Sequence, residues 1–218
     1  MMVHSHGDSS LSWEMYYLME FLSTHGWITI APDHAGNTSY DGSASFGTIK
    51  IRRPFDIQDT YDWLLEENED PESPYYGCID PDAGYVMSGY SFGGYTAYAN
   101  GGALVNDGSG MPTLDLSDDR VQSIITFAPW DGFYALTTGT EEIQVPVMTI
   151  GGERDLTVGM QYLSLHSYIE STPRILGNMP NGGHFSFTPI YCPFFFTDGC
   201  GLGYFEVDLV TELLKISV

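Results

Sequence analysis

The sequence predicts an α/β fold, with a mostly parallel sheet of about six strands flanked by helices. Short apolar runs alternate along the chain with stretches in which apolar residues recur at helical spacing, which is typical of a parallel sheet covered by helices. Several runs are apolar on both faces, as burial on both sides of a sheet requires. With 218 residues and 43% hydrophobic residues, the chain can bury a sizeable core, and we expect residues 1–218 to form a single domain.

Six apolar runs are the candidate strands. In chain order they are residues 1–4, 27–31, 84–88, 121–127, 145–150 and 174–177. The candidate helices lie between and after them. In the first helix, apolar and aromatic residues follow helical spacing, and Pro54 suits the first turn of the second. The candidate helices are residues 12–25, 54–67, 92–100, 157–171 and 204–216.

The charge of the chain limits its partners. Seven Lys and Arg residues stand against 29 Asp and Glu residues, so the formal net charge is −22. Such a surface repels phosphate backbones and anionic lipids, and we expect no nucleic-acid partner. No run approaches the ~18 apolar residues of a transmembrane helix, so no membrane span is expected. The acidic surface suits a salty environment, and ordinary solubility of an acidic protein is the alternative.

The three cysteines leave the compartment open. Cys192 and Cys200 bracket a short segment that contains Pro193 and Gly199, so one interpretation is a disulfide between them, with Cys78 free. The other is three reduced, buried thiols. The first residues lack the basic region and the long apolar stretch of a signal peptide. The localisation therefore stays unknown between cytoplasmic and secreted, and a disulfide would favour secretion.

A candidate nucleophile follows the third apolar run. Residues 89–93 read Gly-Tyr-Ser-Phe-Gly and match the pattern G-x-S-x-G. A sharp turn from strand to helix holds such a serine in a strained conformation with its oxygen exposed, and glycine two residues to either side avoids a clash. The amide of Phe92 then points at the developing oxyanion. We predict Ser91 as the nucleophile; the alternative is a glycine-rich turn that happens to contain a serine.

A serine nucleophile needs a neighbouring base. Sites of this pattern follow the chain order serine, acid, histidine, and only His166 and His184 come after Ser91. His166 lies in the middle of a predicted helix. His184 follows the last predicted strand, in a loop at the carboxyl end of the strand, where such folds place their sites. The sequence therefore predicts His184 as the base.

The acid should lie between the serine and the histidine, and it should also follow a strand. Asp155 comes shortly after the run at 145–150, and its carboxylate would orient and stabilise the imidazolium. Two alternatives stay open: Glu153 in the same loop, and Asp131 after the preceding strand. For either, a surface or helix-capping role is the simpler interpretation.

The second oxyanion donor should come from the loop after an early strand. Residues 3–10 fit, with the amide of Asp8 as the donor beside that of Phe92. A carboxylate aimed at an oxyanion would oppose catalysis. We therefore expect the side chain of Asp8 to turn away and to cap the helix that follows.

The same segment has a second interpretation. His4, His6 and Asp8 resemble the H-x-H-x-D-H run that binds zinc in the metallo-β-lactamase fold, although Ser9 stands at the position of the last histidine. A zinc-dependent hydrolase is therefore the alternative of another class. The serine interpretation accounts for more of the chain, and it requires neither a metal nor a cofactor.

Together these loops resemble the serine esterases of the α/β-hydrolase superfamily, near the dienelactone-hydrolase-like, acetylhydrolase and cutinase-like polyester-hydrolase families. The segments that carry the likeness are residues 5–7, 23–34, 89–94, 128–131, 145–155 and 181–184. The resemblance implies a carboxylic ester hydrolase that acts through an acyl-enzyme on short to medium acyl or aryl esters. The alternatives are a polyester or cutin-type depolymerase and a catalytically inactive binding module.

The chain also departs from these families. Dienelactone hydrolases proper carry a cysteine where this chain has Ser91, so their lactone specificity is not implied. Their sheet begins with two further strands, and we expect an exposed sheet edge here that would suit a homo-oligomer. No large lid is expected, since the only sizeable insertion is 106–120. The resemblance implies that Trp130 lies beside the triad, and Phe185 and Phe187 are further candidates for the substrate pocket.

Overall fold

A computed structural model describes residues 1–188 and 198–200 of the chain. The predicted α/β architecture, with a mostly parallel six-stranded sheet flanked by helices, is confirmed. The strands are β1 Met2–Ser5, β2 Thr29–Ile30, β3 Tyr85–Tyr90, β4 Val105–Asn106, β5 Pro112–Leu114, β6 Val121–Phe127, β7 Val147–Gly152 and β8 Arg174–Met179. The α-helices are α1 Tyr16–Thr24, α2 Phe46–Glu69, α3 Phe92–Asn100 and α4 Gln161–Ser167, and short 3₁₀ turns span Gly139–Glu142 and His184–Phe187.

The strands of the main sheet run in one direction. Their order is β2-β1-β3-β6-β7-β8, and every neighbouring pair is parallel. Strands β4 and β5 form a separate antiparallel pair within the insertion at 106–120 and just before it. Because parallel strands share one carboxyl edge, the loops after β1, β3, β7 and β8 meet there.

The four inner strands of the main sheet, β1, β3, β6 and β7, are largely buried on both faces, as predicted. One core packs the sheet against α2 and α3 and includes Val3 and Met87. The other packs it against α1 and includes Met2 and Phe127. Strand β8 forms one edge of the sheet, and its Ile175 and Leu176 are exposed there. Pairing of two copies through a sheet edge stays a prediction.

Helix α2 begins earlier than the sequence predicts. It starts at Phe46, after Ser45, whose hydroxyl accepts a hydrogen bond from the amide of Thr48. Pro54 therefore lies inside the helix, where its ring nitrogen cannot bond the carbonyl of Lys50. The hydroxyl of Tyr95 donates to that carbonyl at 2.8 Å instead. A tertiary contact thus satisfies the group that proline leaves free.

Other predictions differ in extent or cannot be compared. Helix α4 covers only the middle of the predicted segment 157–171, because the residues before it form turns around Asp155. Cys200 is disulfide-bonded and Cys78 is free, whereas Cys192 and the predicted helix 204–216 lie outside the described residues.

Within the described ranges, no helix has both the length and the apolar character needed to cross a membrane.

Candidate active site

Ser91 sits at the turn between β3 and α3, in a conformation that few residues adopt. Its φ is +54° and its ψ is −117°, a backbone conformation that costs on the order of 1–3 kcal/mol. A Cβ on Gly89 would lie 2.0 Å from the carbonyl oxygen of Gly93, and one on Gly93 would lie 1.8 Å from that of Ser5. Both glycines of the motif are therefore required by contact.

The structure brings Ser91, His184 and Asp155 into one hydrogen-bonded array. Ser91 Oγ lies 3.0 Å from His184 Nε2, and His184 Nδ1 lies 2.7 Å from Asp155 Oδ2. A carboxylate only accepts hydrogen bonds, so Nδ1 carries the proton and Nε2 is free to accept from the serine. The three side chains come from the loops after β3, β8 and β7, and all three are nearly buried.

The second oxygen of Asp155 is held by its own loop. Its Oδ1 accepts hydrogen bonds from the amides of Thr157 at 3.0 Å and Val158 at 2.9 Å. The carboxylate is thereby fixed in the orientation that His184 requires. Of the alternatives, Glu153 is exposed, and Asp131 accepts from the amide of Tyr134, with a pKa raised by burial.

His166, the other histidine after Ser91, belongs to the core. Its Nδ1 lies 3.1 Å from the hydroxyl of Thr149, which also bonds the hydroxyl of Tyr98. Burial lowers the pKa of His166, so it stays neutral within this network. The structure thus places it apart from the array around Ser91.

Asp198 connects the two loops that supply the acid and the histidine. Its carboxylate accepts from the amide of His184 at 2.9 Å, from the amide of Leu156 at 3.1 Å and from the hydroxyl of Thr157 at 2.5 Å. Asp198 is itself buried, so these donors replace water around its charge. The sequence offers no signal for this role, because one aspartate in an acidic chain is not distinguished by spacing or motif.

The loop after β1 is held by a second residue that the sequence analysis missed. Glu14 is fully buried, and its carboxylate accepts from the amide of Gly7 at 2.7 Å and from the hydroxyl of Ser10 at 2.5 Å. We call residues 6–10 the oxyanion loop, after the donor that the sequence predicts at Asp8. The hydrogen bonds to the buried Glu14 carboxylate fix the backbone of this loop beside Ser91.

The two predicted oxyanion donors belong to such fixed segments. Phe92 is the first residue of α3, where the helix dipole favours negative charge. Asp8 lies in the oxyanion loop, and its carboxylate accepts from Asn37 Nδ2 at 2.9 Å. The expectation that Asp8 caps the next helix is wrong, because α1 begins only at Tyr16 and has no side-chain cap.

A cavity of about 310 Å³ opens beside Ser91 and His184. Its other walls include Asp8, Tyr90 and Phe185. Phe187 is fully buried and packs against Phe127, so it belongs to the core and not to the cavity wall.

Trp130 lies beside Ser91 but outside the described lining of this cavity. Its amide donates to the carbonyl of Ser91 at 2.9 Å, and its ring is half-buried against Phe92 and Phe133. Trp130 therefore supports the turn between β3 and α3 through its backbone, and a contact of its ring with substrate stays a prediction.

The residues of the zinc interpretation are engaged elsewhere. Both ring nitrogens of His6 are hydrogen-bonded, Nδ1 to the carbonyl of Gly7 and Nε2 to the amide of His34. His4 Nδ1 bonds Ser88, and Asp8 bonds Asn37. Across residues 1–188 and 198–200, no three His, Cys, Asp or Glu side chains are grouped to hold a metal ion. The geometry gives a zinc site at His4, His6 and Asp8 no support.

Comparison with known proteins assigns the chain to no family. No protein-family model matches the chain, and no curated protein sequence matches it.

Proposed function

We propose that this chain is a serine hydrolase of the α/β-hydrolase type that cleaves carboxylic esters through an acyl-enzyme. The observation that carries the proposal is the array of Ser91, His184 and Asp155 at a strained strand-to-helix turn, beside an open cavity. A nucleophile, a base that contacts it and a carboxylate that orients the base are the parts that acyl transfer requires.

The proposed reaction has two halves. Ser91 Oγ attacks the ester carbonyl while His184 Nε2 takes its proton, and Asp155 stabilises the imidazolium that forms. The amides of Asp8 and Phe92 stabilise the oxyanion. His184 then protonates the departing alcohol, and it next activates a water molecule that releases the acid from Ser91. The protein's own residues carry out every step.

The cavity favours esters of modest size. About 310 Å³ is at the lower end of the range of small-molecule sites, so it suits a short to medium acyl chain or an aryl group. Tyr90 and Phe185 give it aromatic walls. Asp8 at the wall and a net charge of −22 disfavour anionic esters.

A polyester or cutin-type depolymerase is the second candidate. Phe133 and Tyr134 follow β6 at the carboxyl edge of the sheet and are 69% and 75% exposed. The ring of Phe133 packs on Trp130, beside the nucleophile. An exposed aromatic surface at this place would suit a substrate that extends beyond the cavity.

The test is hydrolysis of a series of p-nitrophenyl acyl esters. We expect Ser91→Ala to lower kcat by about 10³-fold or more, because it removes the nucleophile. Ser109→Ala, in an exposed loop, is the matched control and should retain full activity. A chelator should have no effect, and a fluorophosphonate should label Ser91 once. Activity that survives Ser91→Ala and is lost with the chelator would instead indicate a metal-dependent hydrolase. An inert Ser91 would indicate a binding module.

A further inference from the structure

Arg53 of α2 is fully buried behind the oxyanion loop, and its guanidinium is surrounded by acceptors. Nη2 donates to the carbonyl of His6 and, at 3.1 Å, to the hydroxyl of Ser5. Nε donates to the hydroxyl of Thr96 at 3.1 Å, and Cζ lies 4.7 Å from the centre of the Phe92 ring. A buried arginine is costly unless its donors are satisfied in this way.

These contacts join the two segments that supply the proposed oxyanion donors. Ser5 and His6 lead into Asp8, whereas Thr96 belongs to α3, which begins with Phe92. One rigid, planar group thus contacts both segments. Planarity matters here, because the donors of an arginine keep a fixed angle to one another.

Asn37 extends this network to Asp8. Its side chain is 3% exposed. Its Oδ1 accepts from Arg53 Nη1 at 2.5 Å, and its Nδ2 donates to Asp8 Oδ1 at 2.9 Å. Arg53 can only donate hydrogen bonds and the Asp8 carboxylate can only accept them. The Asn37 amide therefore satisfies both neighbours in only one orientation, with its oxygen towards Arg53 and its nitrogen towards Asp8. Asp8 is itself exposed, and its other side-chain contact, from Ser9 Oγ, is longer at 3.4 Å.

We propose that Asn37 is a positioning residue for the oxyanion hole, anchored by Arg53. It holds the Asp8 carboxylate and thereby fixes the Asp8 peptide group relative to Ser91. This inference rests on the proposed function, since it assigns Asn37 a role in stabilising the oxyanion of that reaction. Donors act strongly on a developing charge only when they are held in place before it forms.

The test exchanges the donor and the acceptor of the Asn37–Asp8 pair. In Asn37→Asp, Arg53 keeps its partner but two carboxylates face each other. We expect kcat on p-nitrophenyl acetate to fall about 10- to 100-fold, with KM changed less than about threefold. This loss is smaller than the roughly 10²- to 10³-fold cost of removing an oxyanion donor, because the Asp8 amide is displaced and not removed. In the double variant Asn37→Asp/Asp8→Asn the hydrogen bond forms again in the reverse direction, and kcat should return to within about threefold of the parent.

The second readout is binding of a trifluoromethyl ketone, whose adduct with Ser91 carries an oxyanion. Its affinity should fall and recover in parallel with kcat/KM across the variants, which a general loss of stability would not produce. Gln144→Glu is the control for an added carboxylate, because it makes the same chemical change at an exposed position before β7. Asp8→Ala is the substitute variant if Asn37→Asp does not fold. It removes the hydrogen bond between Asn37 and Asp8 at an exposed residue and buries no charge.

The outcomes separate the two proposals. If the parent neither cleaves esters nor reacts with a fluorophosphonate, the proposed function fails. If the parent is active and folded Asn37→Asp or Asp8→Ala keeps kcat within about twofold, the role of Asn37 is overturned. Failure of the double variant to recover overturns it as well. Parallel loss and recovery of kcat/KM and ketone affinity supports it.

Discussion

A second array of serine, histidine and aspartate lies close to the first. Ser5 Oγ is 2.9 Å from His34 Nε2, and His34 Nδ1 is 2.8 Å from Asp56 Oδ2. Ser5, however, is fully buried at the end of a regular strand, where no substrate can reach it. Burial raises the pKa of Asp56 to about 6 and lowers the pKa of His34 well below its ordinary value. At the residue scale, access and backbone conformation distinguish the proposed nucleophile Ser91 from Ser5, and hydrogen-bond distances do not.

The two arrays give a matched test of the acid. We expect Asp155→Asn to lower kcat by about 10³- to 10⁴-fold, because the amide no longer holds His184 in the tautomer that accepts from Ser91. Asp56→Asn makes the same change in the buried array and should lower kcat less than about tenfold. Steady-state kinetics on one short ester measures both. Equal losses in the two variants would contradict the assignment of Asp155.

The turn between β3 and α3 is the element on which the site depends. It packs the start of α3 against the end of β1, so that the two proposed oxyanion donors come from neighbouring segments. The closest approach is at Gly93, where the carbonyl of Ser5 leaves no room for a side chain. Packing this tight couples the stability of the turn to the geometry of the site.

A pair of glycine substitutions tests this coupling. Gly93→Ala should lower the free energy of unfolding by about 1–3 kcal/mol or more, because its Cβ would overlap a backbone oxygen. Gly47→Ala, in the first turn of α2, meets no atom within 4 Å and should raise the free energy of unfolding by about 0.4–1 kcal/mol. Urea denaturation of both variants measures the difference. An unchanged free energy of unfolding in Gly93→Ala would mean that the turn has room for a methyl group, contrary to the contact with Ser5.

Local patterns predicted more of the fold than of the site's support. Apolar runs indicate the strands, and glycine spacing indicates the turn at Ser91. The sheet and the residues of the candidate triad could therefore be predicted. The start of α2 could not, because the group freed by Pro54 is satisfied by Tyr95, 41 positions further along. Glu14 and Asp198 act through backbone amides that only the folded chain brings to them.

Acidic residues dominate the molecule as a whole. Among the described cations, Arg53 is buried in the network behind the oxyanion loop, and Arg120 is paired with Asp62 and Asp118. Seven Lys and Arg residues stand against 29 Asp and Glu residues, which leaves the net charge of −22. Mutual repulsion among the remaining carboxylates opposes the compact state, and dissolved ions weaken that repulsion.

Salt should therefore stabilise the folded chain. Raising NaCl from about 0.1 to 1 M shortens the screening length from about 10 to 3 Å, so we expect the urea midpoint to rise with salt at neutral pH. Lowering the pH towards the isoelectric point of about 4.1 removes the same charge and should make the salt effect smaller. A midpoint that stays flat or falls with NaCl at neutral pH would show that repulsion does not limit stability.

The wide spacing of the site along the chain has a consequence for biosynthesis. His184 comes 93 positions after Ser91, and Asp198, which holds its amide, comes 14 positions later still. A ribosome therefore completes Ser91, its turn and half of the strands of the sheet long before the proposed base, His184, exists. The growing polypeptide carries an unreactive hydroxyl throughout that time, and the proposed activity would arise only after His184 and Asp198 have been made and His184 has packed beside Ser91.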